Sequence, residues 1–145
     1  MGVLQISVFV ENKTGRVNRL TEILEREDIS IRGFSLADTT DFGIARFVVD
    51  KPQQAQEALG KAGFLVKATE LLCMELPDKP GALDHVFSVV AQADINVEYA
   101  YSLVSTYVAL KVSDIRRAEE ILAEQPVRLV EQSELGRYRV ESADL

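Results

Sequence analysis

Apolar and polar residues alternate at the start of the chain. Leu4, Ile6, Val8 and Val10 fall on one face, Gln5, Ser7, Phe9 and Glu11 on the other, which is the period of a half-buried strand. Over residues 14–27 the period lengthens. Val17, Leu20, Ile23 and Leu24 recur at three- and four-residue spacing and predict a helix with one buried stripe. Residues 30–37 and 44–49 read as strands joined by Asp38-Thr39-Thr40-Asp41-Phe42-Gly43, a run of turn formers. Asp50-Lys51-Pro52-Gln53 reads as a helix start, with Asp50 as cap, Pro52 in the first turn and Gln53 completing a capping box. That helix turns Ala55, Ala58, Leu59 and Ala62 inward and stops at Gly63. Residues 64–69 form a fourth strand, so the predicted order is βαββαβ.

The order then recurs. Residues 71–76 read as a strand and 80–93 as a helix with Leu83, Val86, Phe87, Val89 and Val90 apolar. Residues 95–104 and 106–112 are strands, 113–124 a helix with Ile115, Ala118, Ile121 and Leu122 inward, and 127–130 the start of a last strand. At a constant offset of 66 residues, Lys13, Gly15, Asp28 and Ile29 are matched by Lys79, Gly81, Asp94 and Ile95. Apolar positions match in kind: Val17/Leu83, Leu20/Val86, Ile23/Val89, Leu24/Val90 and Ile31/Val97. Such self-similarity outranks local signals as a guide to architecture. The expected organisation is one domain over residues 1–69, a second over 70–135 and a polar tail over 136–145 that frays beyond Val140. No Gly/Ser/Pro linker separates the halves, so they should be held rigidly together. The expected fold class is α+β: two ferredoxin-like units, each an antiparallel sheet with two helices on one face.

Charge and cysteine content narrow the function classes. Sixteen basic and 23 acidic residues give a net charge of −7, which disfavours nucleic acid, because a nucleic-acid binder needs a basic footprint. A single cysteine, Cys73, allows no disulfide within the chain. The opening residues lack the basic and long apolar regions of a signal peptide, and no run approaches 18 apolar residues. The expectation is a soluble cytoplasmic protein with no membrane partner.

The two loops carry the candidate chemistry. Glu11-Asn12-Lys13-Thr14-Gly15-Arg16-Val17 and Pro77-Asp78-Lys79-Pro80-Gly81-Ala82-Leu83 each lead from a strand into a helix. Helix-start amides are unpaired donors beside the positive end of the helix dipole, a setting that suits a carboxylate. Gly15 and Gly81 let the backbone approach a ligand closely. Asn12 and Asp78 offer oxygens to an ammonium group. Donors and acceptors so close together suit a free α-amino acid. The bland alternative is that Asn12 and Asp78 cap helices and the glycines only permit turns.

The strand, the Pro-Asp-Lys-Pro-Gly-Ala-Leu loop, the apolar helix and the following Asp94-Ile95-Asn96-Val97 resemble an ACT domain, a small regulatory module that commonly binds amino acids. The first half resembles the same family in its loop, in Ile29-Ser30-Ile31 and in residues 38–46, departing at Thr14, where proline is usual. The resemblance covers roughly residues 3–135 and is that of a stand-alone tandem of ACT domains. It implies ligand held between paired domains, by the loop of one and the following strand of a neighbour. Carried over, it implicates Asn12, Gly15, Arg16 and Val17, and Asp78, Gly81, Ala82 and Leu83. Ser30, Ile31, Asn96 and Val97 are the strand residues it adds; Ser30 and Asn96 also read as polar strand starts satisfied by turns.

Other features point elsewhere or nowhere. His85 is the only histidine, off the apolar stripe, and cannot by itself make a triad or a zinc site. Tyr99 and Tyr101 alternate with Val97 and Leu103 and read as core or interface residues, with contact to a ligand as the alternative. Cys73 reads as a small buried hydrophobe. An RNA-binding module on this fold would need a basic surface, and an acylphosphatase-like enzyme an anion-cradling arginine loop that Asn12 and Arg16 do not complete. The expectation is a non-catalytic regulatory protein with no cofactor and no metal. It binds an amino acid at the loops, forms a homodimer, and signals through domain packing or a partner enzyme or transporter. The alternative is a ligand-free subunit that docks on a biosynthetic enzyme.

Overall fold

The two periods of the sequence become two copies of one arrangement in a computed structural model that describes residues 2–38 and 42–136. The first copy comprises β1 (Val3–Glu11), α1 (Arg16–Arg26), β2 (Ile31–Asp38), β3 (Phe42–Val49), α2 (Pro52–Lys61) and β4 (Leu65–Glu75). There follow α3 (Ala82–Gln92), β5 (Val97–Ser102), β6 (Tyr107–Val112), α4 (Ile115–Leu122), β7 (Arg128–Leu129) and α5 (Gln132–Leu135). Part of the predicted turn, residues 39–41, lies outside the described residues, as does the tail from residue 137 onward. The strand order is β2-β3-β1-β4 in one half and β5-β6-β4-β7 in the other, with every pair antiparallel. The chain therefore has the expected α+β, doubled ferredoxin-like fold.

β4 is common to both halves. Two strands, 64–69 and 71–76, were the expectation from sequence; the structure has one. Residues 65–71 pair with β1 and Leu72–Glu75 with β6, so the expected boundary at 69/70 falls inside a strand. Nothing in the run Leu65-Val66-Lys67-Ala68-Thr69-Glu70-Leu71-Leu72-Cys73-Met74-Glu75 breaks a strand, and it ends in four consecutive buried residues, Leu71–Met74. Val66 and Ala68 pack on the first core and Leu72 and Met74 on the second, all on one face.

Among the described residues, three apolar clusters hold the fold. The first lies between the first-half strands and helices, centred on Ile6, Val8, Leu20, Leu24 and Leu59. The second repeats it with Leu72, Met74, Val86, Val90 and Leu122. The third joins the halves on the faces that carry no helix, with Val3, Val48, Leu71, Cys73, Leu103 and Leu135 fully or nearly buried. At its centre is Gln5, wholly buried. Its amide donates to the Tyr99 hydroxyl (2.7 Å) and to Ser7 Oγ (3.1 Å), and its carbonyl accepts from the Tyr101 hydroxyl (2.7 Å). The Arg46 guanidinium sits 4.1 Å from the Tyr99 ring centre. A buried amide is expensive unless paired, and here it is paired across the halves. Burial raises the Tyr101 hydroxyl pKa and pushes the Cys73 thiol up to about 12.

The sheet curls until its ends meet. Val104 N–H donates to Arg32 O (2.8 Å), and Gly33 lies so close to Leu103 that a β-carbon there would collide with it. α5 closes one end: Gln132 accepts from Leu4 N–H (3.0 Å) and donates to Val49 O (2.9 Å), while Arg32 Nε donates to Leu135 O (2.7 Å). Arg128 ties this segment down through Glu75 (2.5 Å) and Glu134.

Two local details matter for the site. Asp50 does not cap α2; Lys51 holds that position, without a side-chain cap. Asp50 Oδ1 instead accepts from Ser30 N–H (2.9 Å), and the second half makes the matching link, Asn96 N–H to Ser113 Oγ (3.0 Å). Competition from the neighbouring strand start outweighs the local capping preference.

Candidate ligand-binding site

Both loops are built alike. Gly15 and Gly81 are the residues preceding α1 and α3, with φ of 86° and 90°, the left-handed region where a side chain is strained. A β-carbon at either glycine would meet nothing within 4 Å, so the approach to the backbone is open. Neither helix start carries a side-chain cap. Asn12 and Asp78 therefore do not cap these helices; the Arg16 and Ala82 amides donate to Lys13 O (3.3 Å) and Lys79 O (3.4 Å), and the rest of each first turn carries no side-chain cap. Lys13 Nζ pairs with Glu11 Oε2 (3.0 Å) and Arg16 Nη2 with Glu11 Oε1 (3.3 Å). The Lys13 hydrogen bond and the two cations hold the Glu11 carboxyl below its ordinary range.

The hollows beside the loops differ. In the first half a hollow of about 220 Å³ is lined by Val10, Glu11, Asn12, Lys13, Val17, Leu36 and Gly43. It shares Val17 and Leu36 with a second hollow of about 260 Å³, which continues between α1 and β2 and adds Thr21, Ile31, Phe34, Ser35, Ala45 and Phe47. Asn12 and Val17 thus line the first hollow, and Val17 and Ile31 the one adjoining it. In the second half a hollow of about 380 Å³ lies on another side of the loop. Lys79, Pro80, Gly81, Ala82 and His85 face Pro77, Pro126 and Val127 there, and His85 Nε2 bonds Gln125 Oε1 (2.9 Å).

The remaining expected site residues are spread out. Arg16 is exposed beside its glycine, Asp78 is exposed, and Leu83 is 42% exposed on α3. Val97 packs against the second core. Ser30 and Asn96 follow the C-terminal ends of α1 and α3, at the far end of each helix from its loop, with backbones engaged by Asp50 and Ser113. Within one chain these two are not beside the loops. The residues that sequence reasoning did not single out are Phe34 and Leu36, which wall the groove and are 65% and 53% exposed. Their signal was present as two large apolar side chains on the edge strand. Tyr99 and Tyr101 lie at the seam between the halves.

A family model described as an ACT domain pair matches residues 1–138. The crystal structure of a protein from Bacteroides thetaiotaomicron is similar over 95% of this chain and 98% of that one, with 33% identity and a TM-score of 0.90. The ligand-free regulatory subunit of aspartate kinase from Thermus thermophilus is similar over 84% of this chain and 89% of its own, with 18% identity and a TM-score of 0.63. The corresponding subunit from Thermus flavus is 18% identical over 85% of this chain and 90% of its own, with a TM-score of 0.61. At that identity the likeness is one of fold. No curated protein sequence matches the chain. Among the described residues no group of His, Cys, Asp or Glu is placed to hold a metal ion, and no helix is long and apolar enough to cross a membrane. ACT domains are regulatory, ligand-sensing modules rather than catalysts. With both loops, both sheets and the family match in agreement, the chain belongs to the ACT domain pairs and is a regulatory protein, not an enzyme.

Proposed function

We propose that the chain is a cytoplasmic regulatory subunit that docks on a biosynthetic enzyme. The observation that carries this reading is an apolar patch on the helix-free face of the first-half sheet. Phe9, Phe42 and Leu65 are 43%, 55% and 68% exposed, and Phe9 stands directly opposite both Leu65 and Ile44 in the strand register. Clustered exposed apolar side chains of this size mark interaction surfaces. The fold shared with the aspartate kinase regulatory subunits, which are accessory chains of an enzyme, supports the reading. The test is capture from the native host with identification of the bound enzyme, followed by assay of that enzyme with and without added chain. The wild type should alter its activity and a Phe42→Ser, Leu65→Ser variant should not. Equal effects from both proteins would remove the patch from consideration.

A second reading is favoured by the loop geometry. The open first-half hollow, with Lys13 beside Glu11 and Asn12, offers charges of both signs to a zwitterion. In this reading Asn12, Gly15, Arg16 and Val17, and in the second half Asp78, Gly81, Ala82 and Leu83, hold a free amino acid. A homodimer partner would supply Ser30, Ile31, Asn96 and Val97 from its strands. Occupancy shifts the population between two packing states through differential affinity. A thermal-shift screen of the twenty amino acids tests it, because a ligand at 100 times its Kd stabilises by about 2.7 kcal/mol. A flat response to all twenty leaves only the docking reading.

A further inference from the structure

The two halves superpose in sequence at a constant offset, and the offset holds through the edge strands. β2 shifts register between Ile31 and Gly33, and β5 shifts between Val97 and Tyr99, the same place in each copy. Phe34 therefore corresponds to Ala100, Leu36 to Ser102 and Thr21 to Phe87. In the first half the helix residue is small and the strand residues are large. In the second the helix residue is large and packs against the second core, while the strand residues are small.

The exchange decides where there is room. Between α1 and β2 the groove of about 260 Å³ has Val17, Thr21, Phe34, Leu36, Ala45 and Phe47 along its walls. Its surface is almost wholly apolar, whereas the adjoining hollow at the loop carries Glu11, Asn12 and Lys13. An elongated site with charges of both signs at one end and an apolar trough at the other matches one class of molecule. Building on the amino-acid reading above, we infer that the chain binds one amino acid with a bulky apolar side chain, branched or aromatic. It does so in the first half only, which narrows the two-loop reading above to one loop. The backbone charges of the amino acid sit among Asn12, Lys13 and Glu11, and its side chain lies against Phe34 and Leu36. The second half has no counterpart to that trough wall, since Ala100 and Ser102 stand where Phe34 and Leu36 would be needed. Transfer of such a side chain from water onto apolar surface supplies the discrimination, which grows with each methylene buried.

The experiment is calorimetric titration of the whole chain with L-leucine, L-isoleucine, L-phenylalanine, L-serine and L-aspartate. One equivalent of leucine, isoleucine or phenylalanine per chain is expected, with serine and aspartate at least tenfold weaker. Thr21→Phe, which imports the second-half residue, should abolish the heat of binding. Phe34→Ser, at a position too exposed to threaten folding, should weaken binding of the apolar three by at least tenfold. Two equivalents per chain, a preference for serine or aspartate, or unchanged binding by Phe34→Ser would overturn this inference while leaving amino-acid sensing in place. If none of the twenty amino acids binds, sensing fails and this inference with it.

Discussion

The first and second halves share a framework and differ in what they leave open. Leu20 and Val86 are wholly buried at equivalent places, Gly15 and Gly81 have the same left-handed turn, and the edge strands carry the same irregularity. Beside α1, however, bulk sits on the strand, and beside α3 it sits on the helix. The exchange costs the core little, because Phe34 and Leu36 are 65% and 53% exposed and lie outside it. It decides whether a groove remains. The two copies thus share what folding needs and differ in the hollow left between helix and edge strand.

That comparison can be broken at several depths. The largest effect is expected in the cores. Leu20→Ala should cost about 2–5 kcal/mol through the cavity it leaves. Val86→Ala should cost less, having fewer atoms to lose. Either should unfold both halves in one transition, since they share β4. Urea denaturation followed by circular dichroism and hydrogen exchange will show this; protection surviving in only one half would mean the copies are independent. At the seam, Gln5→Leu orphans the Tyr99 and Tyr101 hydroxyls and should cost about 1–3 kcal/mol. The seam also sets an alkaline limit. The Cys73 thiol is held neutral up to about 12 against an ordinary 9.0, so the unfolded chain loses its proton first. Its contribution is complete below pH 9.0 and is lost as pH climbs toward about 12. Alkaline titration of stability should show that fall, and Cys73→Ala should reduce it.

Smaller effects sharpen the contrast between loops. Gly15→Ala and Gly81→Ala should each cost roughly 1–2 kcal/mol, because both replace a left-handed glycine in open space. The stability losses should be alike. The amino-acid response should fall for Gly15→Ala and persist for Gly81→Ala, measured by thermal shift. Smallest is the cap of α4, where Asp114 Oδ1 accepts from Arg117 N–H (3.2 Å). Asp114→Ala should cost about 1 kcal/mol. Lys51, its counterpart, makes no side-chain cap, and replacing Asp50 should instead loosen the start of β2, visible as faster exchange of the Ser30 amide.

Much of this was legible in local pattern. The repeated Asp28 and Asp94 stood out as identities; the structure gives both a left-handed φ, 56° and 60°, just after each helix. The amides of Ile29 and Ile95 then return to Leu24 O and Val90 O, so the Asp-Ile pair is a helix stop. Gly63 was likewise readable as a stop, with φ 92°. What could not be read was whatever distant chain decides. The continuity of β4 depends on two different neighbours taking its two ends. The loss of the Asp50 cap depends on Ser30, twenty residues away. The groove depends on Thr21 and Phe34 meeting across two elements, and only the paired offset gives it away. Ser30 and Asn96 were grouped with the loops from the family's habit of pairing domains, which a single chain does not display.

The long strand that serves both sheets also fixes which side of each is which. Because alternate residues along it point to opposite faces, Val66 and Met74 look outward toward helices only while an even number of steps separates them. One residue inserted near Thr69 would turn the far sheet inside out, offering Cys73 to the helices and Met74 to the tyrosines. Insertions there should be tolerated in pairs or not at all.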